Sequence, residues 1–387
     1  MFPMKFDHTR QLSAGVLAGV LIAACILLTS RPAWSEWEVV NLHPPGAGWH
    51  GSEALAIDGQ TQGGWLQPMS GMIWSGSALS ASTLPTASSV VWALQGKDKA
   101  GTASYRAALW VGSSNDYVDL HQAGAVTSAV YGMYGNTQAG EVSWDSLSGH
   151  TSGYHASIWN GTADSWQDLS PVGSSDSHLA AIDASGQVGR YRMSFEVPYH
   201  AGLWYGTAES VVDLHPAGAY ASQAQAISNG RQGGWVQLTQ SASYTRAAVW
   251  SGTAGSYQDI TPATTFGAQI YGMAGDVFVG EALFHGYVPG QSHAVFWSSA
   301  SPDACLDLHT LLSSDYTNSF AYAVDVDEFG TIRVVGYAYN NNYYLPDGTH
   351  YPRNEAMMWV LVPEPSSLVA LAAGLAGLAG LRPRRRR

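Results

Sequence analysis

A two-part sequence pattern recurs seven times between residues 56 and 359. Its first part is a small residue followed by an aliphatic one, and its second part ends at a tryptophan. The first parts are Ala56-Ile57, Ala93-Leu94, Gly132-Met133, Ala181-Ile182, Ala226-Ile227, Gly272-Met273 and Ala323-Val324. The tryptophans are Trp74, Trp110, Trp159, Trp204, Trp250, Trp297 and Trp359. Repeats of roughly 40 to 50 residues are typical of propellers and solenoids, so one structural unit has been copied along the chain.

Each unit contains four short runs rich in Val, Ile, Tyr, Trp and Ala, which clusters of Gly, Ser, Asn and Asp separate. Such runs indicate strands joined by turns, and four strands are the number in a propeller blade. Residues 36–361 lack the spacing of three and four between apolar positions that a helical solenoid requires. The sequence therefore predicts an all-β, seven-bladed β-propeller of about 45-residue repeats. A β-sandwich array and an open solenoid are the alternatives.

The order of the pieces predicts how the ring closes. The first unit begins with an outer-strand segment, Val39 to His43, while the last unit ends at Trp359 without one. One blade would thus take strands from both ends of the chain, which leaves no long exposed sheet edge.

Residues 1–35 have the features of a signal peptide. Lys5 and Arg10 precede an apolar run over residues 12–28, and Ala33-Trp34-Ser35 places small residues where signal peptidase reads them. We expect cleavage before Glu36, so that the propeller domain is 36–361. A lipoprotein acylation site at Cys25 is the alternative. After cleavage Cys305 is the one cysteine left, and a buried thiol is its expected role.

The C-terminal segment 362–387 has three consecutive parts. Pro363, Glu364 and Pro365 precede an apolar run over residues 368–381, and five arginines lie in the last six residues. The run is shorter than the roughly 20 residues of a full membrane span. This layout resembles the PEP-CTERM sorting signal, with its single apolar helix and basic tail. The resemblance implies an exosortase-type processing protease, transient anchoring in the inner membrane, and delivery to the cell surface or extracellular space beside exopolysaccharide synthesis. An ordinary C-terminal anchor is the alternative.

The internal units also resemble a known family. The segments that carry this likeness are His155-Ala156-Ser157-Ile158-Trp159, His200-Ala201-Gly202-Leu203-Trp204 and His293-Ala294-Val295-Phe296-Trp297. They are similar to HAF-type extracellular repeats, a family without a settled activity. The histidine is replaced by Ser70, Arg106, Arg246 and Glu355 in the other units, so it cannot be a ligand shared by every blade.

Charge and motifs constrain the function. Removal of residues 1–35 and of the arginine tail leaves 9 basic and 28 acidic residues. This surface disfavours nucleic acid and anionic lipid, whereas neutral polymers or cations suit it. The nucleophile elbow, the zinc-binding His-Glu-x-x-His pair and the phosphate-binding loop are all missing from the sequence. We therefore expect a non-catalytic protein with no metal or other cofactor.

Two repeated polar positions receive structural interpretations. His43, His121, His215 and His309 follow an Asp-Leu or Asn-Leu pair, and we expect them to tie strands together rather than to bind a metal. The aspartates before them are expected to cap turns. The segment 325–330 has only the beginning of a calcium loop, because the distal glutamate is absent.

Four aromatic residues are the candidate glycan-binding positions. Trp65 and Trp235 each follow a Gly-Gly pair, and Tyr343 and Tyr344 lie in an insertion that we place at 337–353. Exposed aromatic rings suit the C–H faces of sugars, and long loops on rigid scaffolds carry binding residues. The expected function is an exported surface or matrix protein that binds exopolysaccharide. A propeller enzyme acting on extracellular glycans and a protein-binding adhesin are the alternatives.

Overall fold

The computed structural model describes residues 37–145, 149–287 and 290–362. Within these residues the strands form seven antiparallel sheets of four strands each. The innermost strand of each sheet contacts those of its two neighbours, and the last innermost strand contacts the first. The predicted seven-bladed β-propeller is confirmed. All of these sheets lie in one compact unit, Trp37–Leu361.

The strands are numbered in chain order, and in blades 1 to 6 they run from the channel outwards. Blade 1 has β2 Ser52–Asp58, β3 Thr61–Leu66, β4 Ser70–Ser75 and β5 Ser82–Thr83; blade 2 has β6 Ser89–Gln95, β7 Asp98–Ala103, β8 Arg106–Val111 and β9 Asp116–Asp119; blade 3 has β10 Thr127–Tyr134, β11 Thr137–Trp144, β12 Gly153–Trp159 and β13 Gln167–Asp168. Blade 4 has β14 Asp176–Asp183, β15 Gly186–Arg192, β16 His200–Trp204 and β17 Val212–Asp213; blade 5 has β18 Ala221–Ser228, β19 Arg231–Gln237, β20 Arg246–Trp250 and β21 Gln258–Asp259; blade 6 has β22 Thr265–Ala274, β23 Val277–Phe284, β24 His293–Trp297 and β25 Cys305–Asp307. Short 3-10 turns lie at Ala78–Ser80, Ala163–Ser165, Ala208–Ser210, Ala254–Ser256, Pro302–Ala304 and Leu308–Leu311.

Blade 7 closes the ring with strands from both ends of the propeller. It contains β26 Tyr316–Val326, β27 Ile332–Asn340, β28 Arg353–Leu361 and, outermost, β1 Trp37–Asn41. Strand β1 pairs antiparallel with β28, from Trp37 opposite Leu361 to Asn41 opposite Met357. The predicted closure is confirmed, and it gives β28 a partner on the side where an edge would otherwise be open.

The small-aliphatic pair follows a bulge in each innermost strand. The pairing shifts by one residue just before the pair in all seven blades, for example between Leu179 and Ala181. The bulge turns a carbonyl of the innermost strand (strand 1 of each blade) toward a glycine on the neighbouring strand (strand 2), and a Cβ atom on that glycine would overlap the carbonyl. These glycines are Gly64, Gly101, Gly140, Gly189, Gly234, Gly280 and Gly336. The repeated glycine is thus required by the close approach of two backbones.

The seven repeat tryptophans fill the space between blades. All are fully buried, and each packs against apolar residues of the preceding blade. Trp204 of blade 4 contacts the cluster that contains Ile158 and Leu169 of blade 3. Its indole Nε1 donates a hydrogen bond to the Leu169 carbonyl at 3.0 Å. The separate apolar clusters that surround these rings form the core, so the stability of the ring depends on contacts between neighbouring blades.

Serine and histidine side chains join successive blades. Ser222 on β18 accepts a hydrogen bond from the backbone N–H of Ala201 on β16 at 2.9 Å, and its Oγ lies 2.8 Å from His215 Nδ1. Serine hydroxyls on the next innermost strand lie at 2.7 to 2.8 Å from the ring Nδ1 of His43, His121 and His309 as well. Each histidine therefore holds its own blade to the next one, as expected for a structural role.

The repeated acidic position serves two purposes. In blade 4, Asp213 Oδ1 accepts from the backbone N–H of His215, and Asp213 Oδ2 lies 3.0 Å from His200 Nδ1. In blades 2 and 5 the replaced histidine is an arginine that still pairs with the aspartate. In blade 7 the carboxylate is at the histidine position instead, and Asn41, at the aspartate position, donates to Glu355 at 2.8 Å. The substitutions that break the histidine pattern thus mostly preserve a polar pair across β-strands.

Histidine burial makes stability depend on pH. Burial and the neighbouring His293 lower the pKa of His309 to about 4, and burial lowers the pKa of His121 and His215. At these three histidines the unfolded chain therefore binds more protons than the folded one between roughly pH 6.5 and pH 4, so their contribution to stability falls as pH falls through this window. We expect His309→Asn to lose less stability than the wild type between pH 7.5 and pH 5, measured as urea midpoints. A drop equal to that of the wild type would contradict this assignment.

Candidate functional site

The innermost strands enclose a central channel with a cavity of about 450 Å³. The bulge residue of every blade lines it: Leu55, Trp92, Tyr131, Ala180, Gln225, Tyr271 and Tyr322. The small-aliphatic pairs line it as well. The channel therefore combines an apolar wall with a varied ring of bulge side chains, and chemical variety is concentrated at the bulge.

A second ring of varied residues follows the strand-2 glycines. Its members are Trp65, Thr102, Glu141, Arg190, Trp235, Glu281 and Tyr337. Each lies opposite the residue two before the bulge, as Glu53 faces Trp65 and Gln269 faces Glu281. We call the part of the channel bordered by the bulge residues and by this second ring the channel mouth. It opens toward the loop face, which carries the strand-2-to-strand-3 connections, including residues 193–199, 238–245 and 341–352.

On blades 3 and 4 the charged residues of the channel mouth contact polar or aromatic side chains. Glu141 Oε2 lies 2.7 Å from His178 Nδ1, and its Oε1 accepts a hydrogen bond from the Tyr131 hydroxyl at 3.0 Å. Arg190 donates to Gln223 at 3.0 Å, and its guanidinium lies 4.4 Å from the centre of the Tyr199 ring. Both oxygens of the Glu141 carboxylate therefore have polar partners, whereas the buried Nε atom of Arg190 has no hydrogen-bond partner among the described residues.

A second cavity of about 350 Å³ lies on the loop face beside blade 1. Its lining residues are Trp49, His50, Trp65, Gln67, Pro68, Met69 and Tyr351. The Trp49 ring is 44% exposed, stacks on His50 with centroids 4.0 Å apart, and meets Tyr351 edge-on at 5.5 Å. We call this the aromatic cavity. Its rings are exposed yet held by their neighbours, as in a binding surface that needs little ordering.

The four predicted glycan-binding residues occupy different surroundings. Trp65 and Trp235 hold equivalent register positions in blades 1 and 5, but only Trp65 lines the aromatic cavity. Tyr343 lies under the guanidinium of Arg353, which is 3.5 Å from its ring centre. Tyr344 is exposed and forms a β-bridge with His350. The structure therefore does not gather the four residues into one site.

The predicted insertion is shorter than its sequence suggested. Strand β27 continues to Asn340 and β28 begins at Arg353, so the connection is 341–352 rather than 337–353. Residues 337–340 are paired with both β26 and β28, because the strands of blade 7 are longer than those of blade 1. Part of the extra length is thus sheet.

The other candidate residues from the sequence either have structural roles or lie outside the residues that the structure describes. Burial and Asp307 raise the pKa of Cys305 to about 12, which keeps the thiol protonated. Asp327 accepts hydrogen bonds from the backbone N–H groups of Phe329 and Thr331, so it caps a turn. Among the described residues no group of three or more His, Cys, Asp or Glu is placed to hold a metal ion. The sorting residues Pro363, Glu364 and Pro365 lie outside the described residues, as do segments 1–35 and 368–381.

Sequence reasoning missed most of the channel mouth and of the aromatic cavity. The mouth could have been found from two positions of the repeat: the residue before each small-aliphatic pair and the residue after each strand-2 glycine. At these positions the unit varies while its surroundings repeat, which is how a copied scaffold carries individual chemistry. Trp49 and Tyr351 have no such signal, because the fold brings them together from opposite ends of the propeller.

Comparison with known proteins identifies the C-terminal segment. Residues 361–386 match the family model described as the PEP-CTERM protein-sorting motif. The sorting signal that the C-terminal sequence resembles is therefore present. It indicates an exported protein with a C-terminal anchoring region. Among the residues that the structure describes, no helix combines the length and the apolar character needed to cross a membrane. No curated protein matches the chain in sequence.

Solved structures with a similar shape have little sequence in common with this chain. The extracellular domain of the putative one component system BT4673 from B. thetaiotaomicron has a TM-score of 0.48 at 8% identity, covering 82% of this chain and 39% of that one. The β-propeller domain of the Trilobed protease from Pyrococcus furiosus has a TM-score of 0.47 at 8% identity, covering 80% and 93%. The computationally designed Ika8 protein has a TM-score of 0.44 at 13% identity, covering 84% and 100%. This chain thus spans about two fifths of the BT4673 domain's length.

Proposed function

We propose that this protein is an exported, non-catalytic surface or matrix protein that binds exopolysaccharide through its loop face. The aromatic cavity is the observation that supports this proposal most. It offers aromatic faces to the C–H faces of a sugar, and its volume lies within the range of ligand pockets. The acidic surface disfavours anionic partners and leaves a neutral or cationic polymer as the compatible ligand.

The cavity has polar groups beside its rings, as sugar hydroxyls require. Trp65 Nε1 donates to Glu53 Oε2 at 3.2 Å, and Gln67 Oε1 accepts from the backbone N–H of Gly51 at 3.0 Å. These bonds fix the orientation of both side chains and leave the Gln67 amide group for a ligand. A few fixed polar groups beside aromatic walls are typical of small-ligand sites.

Trp235, Tyr343 and Tyr344 remain candidate secondary contacts along a polymer. All three belong to the loop face, and Tyr344 is the most open to solvent of the tyrosine pair. The Arg353 guanidinium covers one face of Tyr343, and Tyr343 is half-buried. All three lie outside the lining of the aromatic cavity, so their removal should weaken binding less than removal of Trp65.

The maturation steps belong to the same proposal. Signal peptidase would cleave before Glu36, and an exosortase-type protease would recognise Pro363, Glu364 and Pro365 while the apolar helix holds the chain transiently in the inner membrane. The HAF-type assignment of the repeats is also part of this proposal, and it agrees with an extracellular location.

The test is co-sedimentation of the protein, purified from the producing cells, with their isolated exopolysaccharide. We expect saturable retention, and an affinity about tenfold lower for Trp49→Ala and for Trp65→Ala. Phe329→Ala is the matched control, because Phe329 is 78% exposed in the β26–β27 turn on the opposite face. Absence of retention, or equal loss in all three variants, would refute the proposal. Release of new reducing ends from the polymer would favour the glycan-active enzyme instead.

A further inference from the structure

The channel mouth on blades 6, 7 and 1 has an aromatic wall. Tyr271 and Tyr322 have ring centroids 5.1 Å apart, Tyr322 and Tyr337 are 5.9 Å apart, and Phe320 stacks on Tyr337 at 4.8 Å. Tyr271 and Tyr322 line the channel cavity. Two tyrosines of this wall therefore line the channel, and neither Tyr271 nor Tyr322 comes from the aromatic cavity.

Glu281 is buried against this wall with one oxygen unpartnered. The residue is 7% exposed, and its Oε1 accepts hydrogen bonds from the Tyr271 hydroxyl at 2.8 Å and from the Gln269 amide. Its Oε2 atom is buried and has no hydrogen-bond partner among the described residues. A buried carboxylate without a compensating partner is costly, so this oxygen marks a place where a donor belongs.

Glu53 brings a second carboxylate to the same wall. It accepts from Asn354 at 2.7 Å and from Trp65 at 3.2 Å. No basic side chain among the described residues pairs with Glu53 or Glu281, in contrast to Glu141 with its His178. This half of the mouth therefore carries two carboxylates and no compensating cation.

The two carboxylates both raise the pKa of the same two tyrosines. Burial, together with both carboxylates, raises the pKa of Tyr322 and raises the pKa of Tyr337 to about 12. Burial also raises the pKa of Glu53. The negative charge of Glu53 and Glu281 thus converges on the Tyr322–Tyr337 pair, at the centre of the aromatic wall.

We infer that this half of the channel mouth binds the protonated primary amine of an amino sugar. An ammonium group supplies donors for the Glu281 Oε2 atom and the positive charge that the wall lacks, and aromatic faces attract such cations. A calcium ion would require six to eight oxygen ligands, whereas the described wall offers two carboxylates beside aromatic rings. Trp65 connects the two sites, because its ring lines the aromatic cavity and its Nε1 donates to Glu53.

This inference rests on the proposed glycan binding and specifies the polymer as one with free amino groups. The probes are a β-1,4-linked glucosamine oligomer and its fully N-acetylated counterpart of equal length, which differ in charge at the same atom. Calorimetric titration of the protein purified from the producing cells, at a mildly acidic pH that protonates the amines, should give about tenfold tighter binding of the free amine. Equal affinities, or no binding of the free amine, would overturn the inference without any variant.

A substitution that removes the carboxylate charge but keeps the size of the side chain locates the site. Glu281→Gln should abolish the preference for the free amine and leave the affinity for the N-acetylated oligomer unchanged. Glu209→Gln is the matched control, because it removes the same charge from an exposed 3-10 turn at Ala208–Ser210. A preference that survives in Glu281→Gln, or full competition by calcium chloride at equal ionic strength, would overturn the assignment. If Glu281→Gln is still retained on the native exopolysaccharide, the proposed glycan binding stands even when the assignment of the amine site fails.

Discussion

Replacing Trp204 with alanine is expected to destabilise the propeller by about 4 kcal/mol, the range found for large-to-small substitutions of buried tryptophan. The side chain is fully buried between blades 3 and 4. Its removal would leave a cavity among Ile158, Leu169 and Leu179 and would orphan the Leu169 carbonyl. Urea unfolding followed by far-ultraviolet circular dichroism measures the change.

The adjacent residue provides the control for this prediction. Tyr205 is 55% exposed, so Tyr205→Ala should change the free energy of unfolding by less than about 0.5 kcal/mol. The loss of unfolding free energy in Trp204→Phe should fall between those of Trp204→Ala and Tyr205→Ala, because phenylalanine keeps an aromatic ring but lacks the indole N–H donor. A Trp204→Ala variant as stable as Tyr205→Ala would show that the inter-blade tryptophans do not hold the ring.

Replacing Gly189 with alanine is expected to cost about 3 kcal/mol. A Cβ atom there would overlap the His178 carbonyl, and its surroundings are backbone atoms that cannot turn away. The methyl group would force either the bulge in β14 or the β14–β15 pairing to shift. Because the same contact recurs in every blade, the equivalent substitution at Gly234 should have a similar cost, measured by the same urea unfolding.

Gly255 is the matched control for the glycine prediction. It is an exposed glycine in the 3-10 turn Ala254–Ser256, with a backbone that other residues adopt, and a Cβ atom on it would meet nothing within 4 Å. Gly255→Ala should therefore change stability by no more than about 0.5 kcal/mol. Equal destabilisation by Gly189→Ala and Gly255→Ala would contradict the role assigned to the bulge.

The sequence predicted the architecture well because each repeated residue has one physical task. Trp204 and its equivalents fill the space between blades, Gly189 and its equivalents accommodate the bulge, and the Asp-Leu-His segments tie each blade to the next. These tasks are the same in every unit, so they leave a periodic trace. The closure by β1 was predictable for the same reason, since an outer-strand segment stands before the first unit and the last unit lacks one.

The candidate sites were less predictable because they depend on departures from the repeat. Glu53 and Glu281 lie in blades 1 and 6, and only the closed ring brings their charges onto Tyr322 and Tyr337 of blade 7. Trp49 and Tyr351 are about 300 residues apart in sequence and meet across the closure. Trp65 and Trp235 have the same local pattern, yet only Trp65 has the neighbours that form a cavity. Local sequence contains no information about such neighbours.

The most direct test of glycan binding is a crystal structure of the protein with oligosaccharides released from the producer's exopolysaccharide. The aromatic cavity predicts a sugar ring seated between Trp49, Trp65 and Tyr351, with its C–H face on an indole ring. If the oligosaccharide binds only on the face opposite the loops, or only outside this cavity, the account of the loop face is contradicted.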